Sequence, residues 1–154
     1  MTEGGIPVNA ADLPTDQVVL EESQVYPVTL DRVAVSLKLS KRDVLYCAAQ
    51  TTVASGDYEG VPLGINYLPL PVGTHPNASK KEKIQAQNIS AMFGRFCRCF
   101  GVKGIIPPVS LDDPESIQAF QDFISKFYGN QGKVMVKNQE FNGRDRSGIS
   151  DFLI

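Results

Sequence analysis

A chain of 154 residues, 42% hydrophobic and 21% charged, has the size and composition of one folded domain with a short extension. No apolar run approaches the roughly 20 residues of a membrane-spanning helix. The opening residues lack the basic start and apolar stretch of a secretory leader, which predicts a cytoplasmic protein with no membrane partner. The net charge of −2 is unevenly spread: residues 1–31 hold six acids and no Lys or Arg, whereas residues 32–154 hold 15 basic against 11 acidic residues, a net +4. An acidic arm on a mildly basic body suits either ordinary solvated surface or a body that meets a polyanion.

Residues 1–24 contain Pro and Gly, lack periodicity and read as a mobile acidic arm; residues 25–154 read as the domain. In VTLDRVAVSLKLS, Val33, Val35, Leu37 and Leu39 share one parity and Arg32, Ser36 and Lys38 the other, the period of a strand with one wet face. Ser40 to Asp43 form a polar turn. Leu45, Cys47, Ala49, Thr51 and Val53 then alternate against Tyr46, Ala48, Gln50 and Thr52 as a second strand. Gly56, Asp57 and Gly60 supply turn chemistry, and Val61, Leu63, Ile65 and Tyr67 fall on one face of a third strand ended by Pro69 and Pro71. On that reading Tyr67 belongs to the core.

Ser79 and Glu82 form a capping box that opens a helix running to Phe100, with Gly101 as its C-cap. Ile89, Met92, Phe93, Phe96 and Phe100 make its apolar stripe. Asp113 and Pro114 start a second helix whose stripe is Ile117, Phe120, Ile124 and Phe127, ended by Gly129. Strands over Lys133–Phe141 and Arg144–Ile149 flank Asn142 and Gly143, a strong hairpin signal. The order of three strands, two helices and two strands predicts a mainly β chain with two helices, an OB-fold-like five-stranded antiparallel barrel. A generic α+β sheet with both helices on one face is the runner-up.

Several motifs together resemble small phage-encoded single-stranded-DNA-binding proteins of OB-fold type. They are the GDYEG turn at residues 56–60, a helix ending FGRFCRCFGV, the segment YGNQGKVMVK and the closing hairpin FNGRDRSGIS. The likeness spans about residues 25–150 and rests on order and spacing. It implies a non-sequence-specific protein that coats unwound DNA in replication or recombination, in the host cytoplasm if phage-encoded, with no cofactor. Partners implied are single-stranded DNA, further copies of the chain, and replication or recombination proteins. Many such proteins carry an acidic C-terminal tail with a hydrophobic tip; here the acidic segment is at the other end and the chain closes on GISDFLI. That departure puts tail-mediated recruitment of replication enzymes in doubt. There is no tryptophan, so stacking falls to Tyr or Phe.

A strand-coating surface needs aromatic platforms beside cations. The candidates are Tyr46 and Tyr58, Phe141 beside Arg144 and Arg146, Lys38, Lys41 and Arg42 on the first hairpin, and Lys133 and Lys137 on the fourth strand. Each has a plainer reading: Tyr46 lies in an apolar run, Phe141 can staple its hairpin, and Asp57 and Glu59 beside Tyr58 repel phosphate. Cys47, Cys97 and Cys99 with the single His75 lack zinc-ligand spacing, so no metal is expected. Asp112 and Asp113 are explained by helix capping, and no nucleophile–base motif occurs, so no catalytic residue is expected. The alternative to DNA coating is an assembly subunit of a phage or replication complex that docks through its acidic arm.

Overall fold

The computed structural model describes residues 5–14, 18–39, 44–73, 75–141 and 143–154. Five strands, β1 (Val25–Leu39), β2 (Leu45–Val53), β3 (Asn66–Pro69), β4 (Gln131–Phe141) and β5 (Arg144–Phe152), form one sheet in the order β3-β2-β1-β4-β5. Every neighbouring pair is antiparallel. Helices α1 (Lys80–Phe100) and α2 (Pro114–Ser125) lie between β3 and β4 in the chain. The chain is therefore mainly β with two helices, as its alternation and caps predict.

The sheet curls so that its edges approach. Gly64 N–H, just ahead of β3, donates to the Ser147 carbonyl of β5 at 2.8 Å. The Asn66 Nδ2 amide reaches the Ile149 carbonyl at 3.5 Å. Residue numbers rise together on the two sides of this seam, so β3 and β5 meet in parallel sense. No ladder joins them among the described residues, and the cylinder stays open.

Long β1 changes partners along its length. Val25–Thr29 pair with β4, while Val28–Leu39 pair with β2. Past Thr29 the edge left by β4 is filled from the loop after α2. Leu30 N–H donates to the Asn130 carbonyl and Gly129 N–H to the Leu30 carbonyl, both at 2.8 Å. Beyond an irregularity at Leu30–Arg32, the Tyr128 hydroxyl serves as a surrogate strand: it accepts from Val33 N–H at 3.1 Å and donates to the Val33 carbonyl at 2.9 Å. This satisfies backbone groups of a residue with 0% exposure, which would otherwise be costly to bury.

Helix α1 follows its sequence signals, whereas α2 starts as expected but stops at Ser125, before Phe127 and the expected end at Gly129. Ser79 accepts from Glu82 N–H while Glu82 reaches back to the cap, and Gly101 takes the left-handed conformation at φ 70° that glycine adopts without a Cβ penalty. Asp113 caps α2 with Pro114 in its first turn. From α1, Phe93, Phe96 and Phe100 are buried; from α2, Phe120 and Ile124 are. Each fully buried phenylalanine contributes about 1.5–3 kcal/mol relative to exposure. Phe152, near the end of β5, completes this cluster with ring centroids 5.7 Å from Phe96 and 6.1 Å from Phe100. Strand β5 thus runs three residues past the expected Ile149.

Three expectations are corrected. Leu37 and Leu39 share the parity of buried Val33 but are exposed, because β1 outruns the core after Val35. Met92 is half exposed, at the rim of the α1 stripe. Tyr67 is 60% exposed, and its neighbour Leu68 is the buried residue. The reason is a register shift: Leu63 bonds Thr51 and Asn66 pairs with Ala49, so three residues on one strand face two on the other. Gly64 spends its N–H on β5 at that point, and the parity of β3 flips.

The end of the arm next to β1 is tied down. Leu20 is buried; its N–H donates to Ser147 Oγ and its carbonyl accepts from Asn138 Nδ2, both at 2.7 Å. Ser147 Oγ–H donates to Asn138 Oδ1 at 2.8 Å, and Asn138 N–H to Glu22 Oε1 at 2.9 Å. Arm, β4, β5 and the β3 approach therefore converge on one serine.

Candidate nucleic-acid interface

The outward parity of the β1–β2–β3 face is set by the core beneath it. With Cys47, Ala49 and Leu68 facing in, Tyr46 and Tyr67 face out. Tyr46 stands opposite Pro69 and Ala48 opposite Tyr67, so the two rings occupy neighbouring strands, one step apart along the sheet. With Ser36, Lys38 and Leu39 of β1 they line a shallow open cleft of about 240 Å³. Arg32 continues the same outer face opposite Gln50. Two rings and two cations thus share a surface held by ladder hydrogen bonds, an arrangement suited to stacking flat apolar rings while contacting a neighbouring anion.

A second basic strip lies on the outside of β4 and β5. With Val134 and Val136 facing in, Lys133 and Lys137 face out and are exposed. Gln139 pairs with Arg146 and Phe141 with Arg144, which places both exposed arginines on the Lys137 face. Of Phe141, only the backbone is described. Arg146 immediately precedes Ser147, the residue Gly64 bonds, so it stands at the seam beside the strand that carries Tyr67. The two strips are distinct faces that meet there.

Tyr58 sits apart from both. It is half buried, packs against the core and makes an edge contact with Tyr26 at 6.0 Å. Packing accounts for this ring despite its acidic neighbours. Lys41 and Arg42 lie outside the described residues. Tyr67 is the exposed ring that periodicity misses; the signal available in the sequence is Gly64, a residue that weakens strands and often marks a bulge.

The cysteines are packing residues. Burial pushes the Cys47 thiol up to about 12 and Cys97 to about 11, and raises Cys99 as well. Such thiols remain protonated at neutral pH, the opposite of a reactive thiolate. Among the described residues, no group of three or more His, Cys, Asp or Glu could hold a metal ion. No helix among them is long and apolar enough to cross a membrane. Neither protein-family models nor curated protein sequences give a match to this chain.

Proposed function

We propose that the chain binds single-stranded DNA without sequence preference, laying bases on the outer face of β1–β2–β3. The observation that carries this reading is Tyr67, a large ring 60% exposed on a rigid strand beside Tyr46 and Lys38. Tyr67 is exposed and Tyr46 half buried beside it, next to a cation, and base–aromatic stacking contributes about 1–3 kcal/mol per base. The strand order β3-β2-β1-β4-β5, with β3 and β5 approaching in parallel, supports it further. OB folds bind oligonucleotides on strands two and three, flanked by the loops between strands one and two and between strands four and five. Lys41 and Arg42 belong by sequence to the first of these loops, and Arg144 follows the second. Arg146, Lys137 and Lys133 would then draw the phosphate backbone across the seam. Coating of unwound DNA during replication or recombination is the role that fits such a surface.

The test is fluorescence anisotropy of labelled oligo-dT at two salt concentrations, with duplex DNA as control. Tyr67→Ala weakens single-strand binding by roughly 5- to 150-fold, the equivalent of 1–3 kcal/mol, while the melting temperature holds because the ring is exposed. Arg144→Ala with Arg146→Ala lowers the salt slope by about two charges. Unchanged affinity in the Tyr67 variant removes the β1–β2–β3 face from the site. Equal affinity for duplex and single strand removes the function.

A further inference from the structure

An apolar groove of about 830 Å³ lies between the segment after β3 and the loop before α2, past the end of β3 remote from the seam. Leu45, Leu70, Val72, Ile89 and Ile106 line it over Phe120. Through Pro71, Gly104 and Ile106 it runs into a second hollow of about 340 Å³ bordered by Arg98 and Lys103, both exposed. An apolar trough ending in two cations calls for an occupant that is apolar and acidic.

The chain carries such a segment. In the arm, Ile6 is 90%, Val8 70% and Leu13 51% exposed. Ile6 and Val8 alternate around Pro7, the spacing that puts two side chains on one side of an extended segment. Asn9 Oδ1 then accepts from Ala11 N–H at 3.0 Å and caps the 3-10 turn Ala10–Asp12, presetting the segment's shape. No Lys or Arg occurs in the first 31 residues.

We propose that residues 5–13 of one copy dock in this groove of a second copy, joining chains head to tail, with Asp12 facing Arg98 and Lys103. Within one chain this segment is not seated in the groove: Ile6, Val8 and Leu13 stay exposed and none of them lines it, which leaves the segment open to a neighbour's groove. A contact between two different patches is heterologous and propagates or closes into a ring. This inference is independent of DNA binding and is tested without DNA.

The test is sedimentation over a concentration series. The full chain self-associates as concentration rises, and salt weakens the association. Deleting residues 1–13, which leaves the Leu20 anchor, gives a monomer. So does Val72→Glu, a substitution at a half-exposed groove position, and so does the full-length double variant Ile6→Asp with Val8→Asp. An equimolar mixture of the deleted chain and Val72→Glu forms a one-to-one dimer, since one supplies the groove and the other the arm. A full chain that stays monomeric, an association that survives the deletion, or a mixture that fails to pair overturns the proposal.

Discussion

Removing one oxygen from Tyr128 tests how β1 tolerates losing its neighbour. In Tyr128→Phe the ring stays, so apolar burial is unchanged, and the sole loss is the hydroxyl that accepts from Val33 N–H and donates to the Val33 carbonyl. Val33 is fully buried, so both groups are left without a partner and with little access to water. An unsatisfied buried group costs about 1–3 kcal/mol. Tyr128 itself is half buried, so the lower part of that range applies to each group, and the sum is about 2–3 kcal/mol. For a chain of this size that lowers Tm by roughly 5–10 °C. Urea unfolding followed by circular dichroism measures the free energy, and the m-value should hold, because the area exposed on unfolding is the same. Amide exchange at Val33 should speed selectively. A loss below about 0.5 kcal/mol, less than one net hydrogen bond, with Val33 protection intact would refute the surrogate-strand account.

Other outcomes follow from the packing. Thr51 is 2% exposed and its Oγ1 has no hydrogen-bond partner among the described residues, so Thr51→Val should stabilise by about 1 kcal/mol, read from the urea midpoint. A Cβ on Gly132 would stand 2.5 Å from Cys99 Sγ and 2.8 Å from the Cys99 carbonyl oxygen, so Gly132→Ala should push α1 off β4 at a cost of about 2 kcal/mol, seen as a lower Tm. The buried thiols make stability fall in alkali. Unfolded thiols ionise near pH 9 while Cys47 and Cys97 hold their protons to about 12 and 11, so the unfolded state loses protons first. Their contribution is whole below pH 9 and is lost as pH rises through 11 to 12, with each thiol adding a slope of up to about 1.4 kcal/mol per pH unit. Cys97→Ala should flatten the decline in urea midpoint between pH 9 and 11.

Local chemistry was legible in the sequence where the structure is locally determined. Ser79, Glu82 and Gly101 delimit α1, and Asp113 and Pro114 mark the start of α2, because caps act within a few residues. The alternation of β2 names its buried side because that strand has neighbours on both flanks. What could not be read depends on distant partners. The flip in β3 comes from Gly64 bonding Ser147, more than 80 positions away in the chain. The same long-range contact moves Tyr67 from expected core to exposed surface. Tyr58 loses its promise as a free ring because Tyr26 lies against it. Leu20 ends a short Val-Val-Leu run in an acidic stretch with no periodicity, and Asn138 and Ser147 give it a place. Of the candidate cations, Lys38 joins the tyrosine face, whereas Lys133, Lys137, Arg144 and Arg146 form a separate strip across the seam.

The partner exchange along β1 bears on how the chain matures during translation. β1 is made early and meets β2 at once, but its second ladder partner begins at Gln131. Until some 90 further residues have left the ribosome, half of its backbone donors and acceptors face outward on an unprotected edge. Leu20 waits longer still for Ser147, 127 positions on. Closure so late predicts slow folding and a nascent chain that profits from chaperone cover over its first third.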